Sequence, residues 1–359
     1  MTCTLGIVKG DRYGEVATTP YSLRDVWTGR IRIFYELAEK LKNVVYIQPQ
    51  PARREDLLYA HTEDYIEYVA KESMKGRGYL DYGDTPSYKG VYEDVLLLVG
   101  GTLKALEHVH DGKVDHAFAP NGGFHHAEAS SAGGFCVFND VAIAARKAVR
   151  DYGLERVAII DIDGHHGNGT QWILYKDPIL KFSFHRYGGY FYPGTGWIDE
   201  RGEGAGEGYN YNIPLPAGSG DDAFLYALEN LVVPILEGYR PEAIIAQLGA
   251  DGHRGDPLVG LNLTIKTYAT VGSHLHKIAH KYNSILVGTG GGGYQYSEVA
   301  KAWLTIAKSW IYRWEDFWNM TGEVEGTVSD SSTMRMIRDI VEKHWKVAEQ
   351  KLNIELGKK

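Results

Sequence analysis

Only two cysteines, Cys3 and Cys136, occur in the 359 residues. They supply no CxxC pair and no disulfide framework, which excludes a disulfide-stapled fold and accords with a reducing cytosol. Basic residues are also in deficit: 38 Lys and Arg against 46 Asp and Glu give a net charge of −8. That balance argues against a general nucleic-acid surface and mildly favours neutral or cationic ligands. No apolar run approaches the ~18 residues of a membrane span, and no basic-then-apolar leader opens the chain, so no membrane association is expected. A soluble cytoplasmic protein is the expectation. Internal repeats and low-complexity linkers are absent. What is present is ample apolar content, 44% of residues, enough for a large core in one undivided α/β domain.

Short apolar runs alternate with helical periodicity almost throughout, which predicts βαβ units and a parallel sheet. Strands are expected over residues 5–8, 44–48, 114–119, 157–163, 180–184, 243–248 and 284–288, with 209–215 a further strand candidate. Helices are expected over 25–41, 62–75, 92–108, 140–152, 222–236, 266–282 and 297–310. A main domain over residues 1–320 is followed by a C-terminal polar linker and helix, 321–359. Its stripe of Ile337, Ile340, Val341, Trp345 and Leu352 suits docking on the same domain.

The most informative segment runs from Val157 through Asp161, Asp163, His165 and His166 to Gly167. Carboxylates at the end of a buried strand are costly unless a cation or hydrogen bonds satisfy them. Asp163 and His165 alternate at strand spacing, so an oxygen and a nitrogen donor leave on one side, as a divalent metal requires. Three further apolar runs end in glycine-rich turns bearing polar groups: His125 and His126 after Gly122-Gly123, Asp251 after Gly249-Ala250, and Tyr294 after Gly290–Gly293. In open α/β sheets ligands sit beyond the carboxyl ends of the strands. Asp163, His165 and Asp251 then form an open three-ligand metal site, zinc first among candidates. The paired imidazoles suit a general base and acid, with Asp161 or Asn168 to fix a tautomer. Tyr294 suits an oxyanion donor. Loops at 120–131 and 186–207 wall a pocket, while pattern alone does not place the loop at 76–89. Aromatics in glycine-rich loops, Phe135, Phe191 and Tyr192, read either as packing or as the wall of a narrow channel.

These stretches together, in order and over about residues 80–300, resemble the zinc-dependent deacetylase family, which includes histone deacetylases, acetoin-utilisation deacetylases and acetylpolyamine amidohydrolases. The resemblance rests on Gly122–Ala127, Gly134–Asp140, Asp161–Gln171, Tyr192–Gly196, Gln247–Asp251 and Gly290–Tyr294. It implies the arginase/deacetylase fold, a single domain with an eight-stranded parallel sheet and helices on both faces. It implies a cation, Zn2+ or Fe2+, on Asp163, His165 and Asp251, activating water against an acetyl carbonyl that Tyr294 also polarises. His126 would be the base and later donor; His125, paired to Asp161, would be electrostatic or an auxiliary acid. Phe135 and Tyr192, with Gly134 and Phe191, would flank the acyl-lysine stem, and Asp84 would grip the substrate backbone. A structural K+ is implied at Asp161, Asp163, His165, Ser183 and Phe184, through side-chain and backbone oxygens. Asn168 stands where many members carry aspartate, which leaves the identity of the base open.

Polyamine-selective members place an acidic residue near Leu258, and leucine there favours acetyl-lysine in a protein or peptide over acetylpolyamine. The expected partner is thus an acetylated protein, peptide or small amide, with self-association into a homo-oligomer left open. An acetylpolyamine or other small-amide deacetylase is the runner-up; a silent binder of acylated ligands would need neither the histidine pair nor Tyr294.

Overall fold

The computed structural model describes residues 2–312, 317, 325–352 and 354. Eight strands form one sheet: β1 Leu5–Val8, β2 Val44–Ile47, β3 His116–Ala119, β4 Val157–Asp161, β5 Leu180–Arg186, β6 Asn210–Leu215, β7 Ala243–Gln247 and β8 Ile285–Thr289. Their order is β2-β1-β3-β8-β7-β4-β5-β6, and each neighbouring pair is parallel. The expected single α/β sheet is therefore present, with 209–215 supplying the eighth strand. That strand is an edge, as Pro214 requires, because proline cannot donate to a second ladder.

Helices cover both faces. Val91–His110 and Asp140–Arg150 pack together on one face, and Arg24–Ala38, Ile265–Tyr282 and Tyr296–Ile311 on the other. The central strands are sandwiched between these layers and are buried along their whole lengths at β3, β4 and β7. This is why they read as continuous apolar runs rather than as alternation. The edge strand β2 is different: Val45 and Tyr46 are exposed.

Two expectations need correction. The helix expected over 222–236 is broken into Asp221–Ala227, a π turn at Leu228–Val232 and Val233–Tyr239. Pro234 has no N–H to give to the carbonyl four residues back, that of Asn230. That carbonyl instead accepts the indole N–H of Trp345 at 2.7 Å. The donor comes from the C-terminal helix, Ser331–Leu352, whose Ile337, Ile340 and Val341 are buried. Second, part of the segment read as a polar linker is fastened down. Thr327 donates its N–H and Oγ–H to Asp221 at 2.8 and 3.0 Å, and Ser329 donates both to Asp222. Residues 321–324 of that segment lie outside the described residues.

Candidate active site

Sheet order brings the four motif-bearing strands together, because β3, β8, β7 and β4 are consecutive neighbours. Their carboxyl ends carry His125 and His126, Tyr294, Asp251, and the 161–167 segment respectively. Strand β4 ends at Asp161, two residues earlier than expected. Asp163 and His165 therefore converge through an irregular segment rather than by strand alternation. Ile162 still pairs with β7 at 3.0 Å, after which Gly164 donates its N–H to Asp251 Oδ1 at 2.6 Å and turns the chain.

The donor atoms of Asp163, His165 and Asp251 all lie within 4.8 Å of one another, and all three residues are buried. His165 Nδ1 stands 2.8 Å from Asp251 Oδ2 and 3.2 Å from Asp163 Oδ1. Asp163 is oriented by Gly292 N–H at 2.7 Å and by the Gln247 amide at 2.8 Å. Gly249 and Gly292 are required here by space: a Cβ on the first would overlap the Asp163 carboxylate, and on the second that of Asp251. Burial opposes a charge on His165, yet the two carboxylates push it up to about 10. Asp251 is raised to about 7 by burial and by the charge of Asp163. Two buried carboxylates facing one ring nitrogen make a setting that favours positive charge. Two carboxylate oxygens and one imidazole nitrogen fit a divalent cation with open positions.

The adjacent histidines have opposite electrostatic fates. His125 Nδ1 lies 2.7 Å from Asp161 Oδ2. Burial works against its protonation, but Asp161 and Asp163 outweigh it and lift the ring to about 9. Burial, then repulsion from His125 and His165, drives His126 far below its ordinary value. His126 Nδ1 lies 2.7 Å from Asn168 Oδ1, and the Asn168 amide nitrogen lies 3.1 Å from Glu128 Oε1. A carboxylate only accepts, so the Asn168 NH2 must face Glu128 and its oxygen must face His126. His126 therefore carries its proton on Nδ1, which leaves the Nε2 lone pair free. Glu128 was missed in the sequence, although it stands two residues after His126 in the same loop. Gln247 was read as a strand residue and as part of a family-matching stretch, without a role at the site.

Surrounding packing makes this loop rigid. Asp140 takes the N–H of Gly123 at 3.0 Å and of Phe124 at 2.8 Å, and Asn139 donates to the carbonyls of His125 and Ala127. Of the two histidines after Gly164, only His165 joins the cation cluster. His166 faces the other way, onto Thr195 Oγ1 at 2.8 Å and Gln171 Oε1 at 3.0 Å.

Tyr294 is pinned through its backbone: its N–H donates to Asp256 at 2.8 Å, and Arg30 holds the preceding carbonyl of Gly293 at 2.9 Å. Burial, reinforced by Asp251 and Asp163, raises its phenol far above the ordinary value, so it keeps a proton to donate. Phe135 sits edge-on to Tyr294 at 6.3 Å, Phe191 stacks on His165 at 4.9 Å, and Tyr192 meets His126 edge-on at 5.0 Å.

A cleft of about 820 Å³ opens beside His126 and Asn168. Its wall includes Gly134, Tyr192, Asp81, Asp84 and Glu128. The loop at 76–89, unplaced by pattern, thus stands at the mouth. Asp81 Oδ1 accepts three backbone N–H groups, from Gly83, Asp84 and Thr85, which sets the loop shape. Burial and the neighbouring Asp81 lift Asp84 to about 6. Leu258 is 48% exposed and does not line this cleft. Ser183 pairs with Asp161 across β4 and β5, while the Phe184 ring is buried against Phe224 at 4.0 Å.

The histone deacetylase domain model matches residues 27–310. The chain belongs to the histone deacetylase family. Acetoin utilization protein AcuC of Bacillus subtilis is 39% identical over 295 residues, 75% of each chain. A probable deacetylase of Archaeoglobus fulgidus is 38% identical over 258 residues, 70% of each. The crystal structure of the HDA15 HD domain matches with a TM-score of 0.83 at 25% identity, covering 98% of this chain and 99% of that one. Membership makes the protein a deacetylase, a hydrolase acting on an acetylated substrate, with the histone deacetylase fold. Among the described residues no helix is long and apolar enough to cross a membrane.

Proposed function

We propose that the protein removes acetyl groups from acetyl-lysine in proteins or peptides, with zinc, or ferrous iron in its place, on Asp163, His165 and Asp251. The observation that carries this reading is the buried donor set beside His126, whose ring centroid lies 5.8 Å from that of His165 and which borders an open cleft. When bound, the cation supplies a Lewis acid for the acetyl carbonyl and for a water molecule. His126, neutral and with its Nε2 lone pair free, takes the proton from the attacking water and later returns it to the leaving amine. His125, charged against Asp161, stabilises negative charge as it develops. The Tyr294 phenol donates to the oxyanion. Phe135, Phe191 and Tyr192, with the unobstructed backbone of Gly134, guide the aliphatic stem, and Asp84 accepts a substrate backbone N–H at the rim.

K+ is assigned to Asp161 and Ser183 with the backbone oxygens of Asp163, His165 and Phe184; the direct β4–β5 pairing of Asp161 with Ser183 supports it. The catalytic body is assigned to residues 1–320, with 321–359 docked upon it. A cytoplasmic location belongs to the same reading.

One observation favours a second substrate. Asp81, Asp84 and Glu128 all line the cleft with no Lys or Arg among its wall residues, a setting that attracts a cationic acetylpolyamine. Turnover of an acetyl-lysine peptide and of N-acetylputrescine, measured side by side on metal-loaded protein, separates the two. A higher kcat/KM for the peptide is expected. A higher value for the polyamine would overturn the lysine assignment and give the acidic rim its meaning.

A further inference from the structure

At the amino ends of β1 and β3, the end of the sheet opposite the catalytic residues, a second group of donors converges. Cys3 precedes β1, and His116 opens β3, where it pairs with Leu5. His276 and His280 lie one turn apart on the helix Ile265–Tyr282, so both project from one face. One ligand atom from each of the four residues lies within 4.8 Å of every other. Cys3 Sγ is 3.1 Å from His280 Nε2, and His116 Nε2 is 3.0 Å from His276 Nδ1. The three rings sit edge to face with centroids 4.5 to 5.1 Å apart.

We propose that Cys3, His116, His276 and His280 form a second, structural metal site that takes a zinc-type divalent cation. Hydrophobic packing buries ring carbons and has no reason to point three imidazole nitrogens and a thiol at one spot. The contacts set ring nitrogens of the three imidazoles and the Cys3 sulfur towards one another, so their lone pairs converge on one point. Around a tetrahedral zinc, neighbouring N and S donors stand roughly 3.4–3.6 Å apart. These two contacts reach that spacing with shifts of a few tenths of an ångström, and the other donor pairs lie within 4.8 Å. One thiolate and three imidazoles complete a four-coordinate shell, leaving no open position for substrate, which is the signature of a structural site. Cys3 and His116 are buried, His276 is half-buried and His280 is exposed, which gives the ion a way in. On binding, the thiol releases its proton to solvent, and one thiolate with three neutral imidazoles leaves a net charge of +1 on the divalent site. Asp115, whose carboxylate accepts the Thr4 N–H at 2.7 Å, adds negative charge beside Cys3. The ion would join the start of β1 and β3 to the last turns of the helix behind them.

The site differs from the catalytic one in holding sulfur, and that separates the two in experiment. Untagged full-length protein is stripped with chelator, loaded with Co2+ under reducing conditions, and assayed for metal content and near-ultraviolet absorption. The wild type should bind two equivalents and show a thiolate-to-cobalt charge-transfer band. Asp163→Ala should bind one and keep the band. Cys3→Ser and the double variant His276→Ala/His280→Ala should each bind one, lose the band, and retain deacetylation. Zinc should raise the Tm of Asp163→Ala and leave that of Asp163→Ala/Cys3→Ser unchanged. The histidine pair lies towards the surface, so its replacement tests the site without emptying the core. One equivalent in the wild type without the band, or a band that survives Cys3→Ser, would overturn the proposal.

Discussion

At the scale of single residues, the phenol of Tyr294 and the amine of Lys181 show how burial sets chemistry. Tyr294 remains protonated and is aimed by Asp256 and Arg30, so Tyr294→Phe should keep the fold and bound metal while kcat falls on the order of 10²–10³-fold. Near-normal turnover would remove Tyr294 from the reaction. Lys181 is buried in β5, donating to the carbonyls of Leu174 and Ile179 at 3.0 and 2.7 Å. Burial lowers it from 10.5 to about 7. Its folded pKa is below its unfolded one, so the unfolded chain binds more protons. The resulting penalty, about 5 kcal/mol, is full below about 7 and fades as pH rises towards 10.5. Wild type should therefore gain stability on Lys181→Met as pH rises through that window, read from urea midpoints of both proteins. Parallel pH curves would contradict the shift.

At the scale of elements, the strand ends and their glycines decide the geometry of the cation site. Gly292 has no left-handed backbone to defend, so Gly292→Ala acts through its Cβ, chiefly against Asp251 and also against Asp163. Metal affinity should fall about 10–100-fold, with some loss of Tm in the metal-free protein from the same overlap. Titration with a competing chelator reads the loss, and unchanged affinity would mean that Asp251 is not a ligand. The break at Pro234 gives a second test. Trp345→Phe keeps an aromatic ring but removes both the indole N–H given to the Asn230 carbonyl and part of the buried ring, so a loss of at least about 1–3 kcal/mol is expected in denaturant unfolding. A loss below that range would show that water replaces the indole. The C-terminal helix is held by such specific bonds as well as by its apolar stripe, His344 Nε2 reaching the Asn212 carbonyl at 2.6 Å.

At the scale of the whole molecule, buried neutral histidines couple the fold to pH. His61 donates from Nδ1 to the Glu128 carbonyl and accepts the Asn139 N–H at Nε2, so both nitrogens are committed. His185 is likewise held between Ser183 and Gly196. His344 gives its Nε2 proton to Asn212, and its buried Nδ1 has no hydrogen-bond partner among the described residues. Burial depresses all three from 6.5 to about 4. The unfolded chain takes up these protons first, so their effect is absent above about 6.5 and becomes a growing loss of stability as pH falls towards 4. Urea midpoints should drop across that interval, and His344→Gln should flatten part of the slope. A variant with the wild-type slope would assign the acid response to other groups.

The sequence by itself determined the α/β class, the central strands and the residue types at their carboxyl ends. These are local properties: apolar runs, helical periodicity, and polar groups after glycine-rich turns. Asp163, His165, Asp251, the histidine pair and Tyr294 were legible because each follows a buried strand, and the resemblance to the deacetylase family ordered them. The tertiary structure decided what depends on distant partners. Only strand order makes β3, β8, β7 and β4 neighbours. Only the fold sets Glu128 behind Asn168 and so fixes the His126 proton, a relation between loop and helix that no spacing encodes. It moved the 76–89 loop to the cleft and left Leu258 exposed, outside the residues that line it. It also joined Cys3 to three histidines distant in sequence, a convergence produced by the amino ends of β1 and β3 meeting a helix. Side-chain pattern is read along the chain, whereas ligand sets and proton positions are properties of points in space where several segments meet.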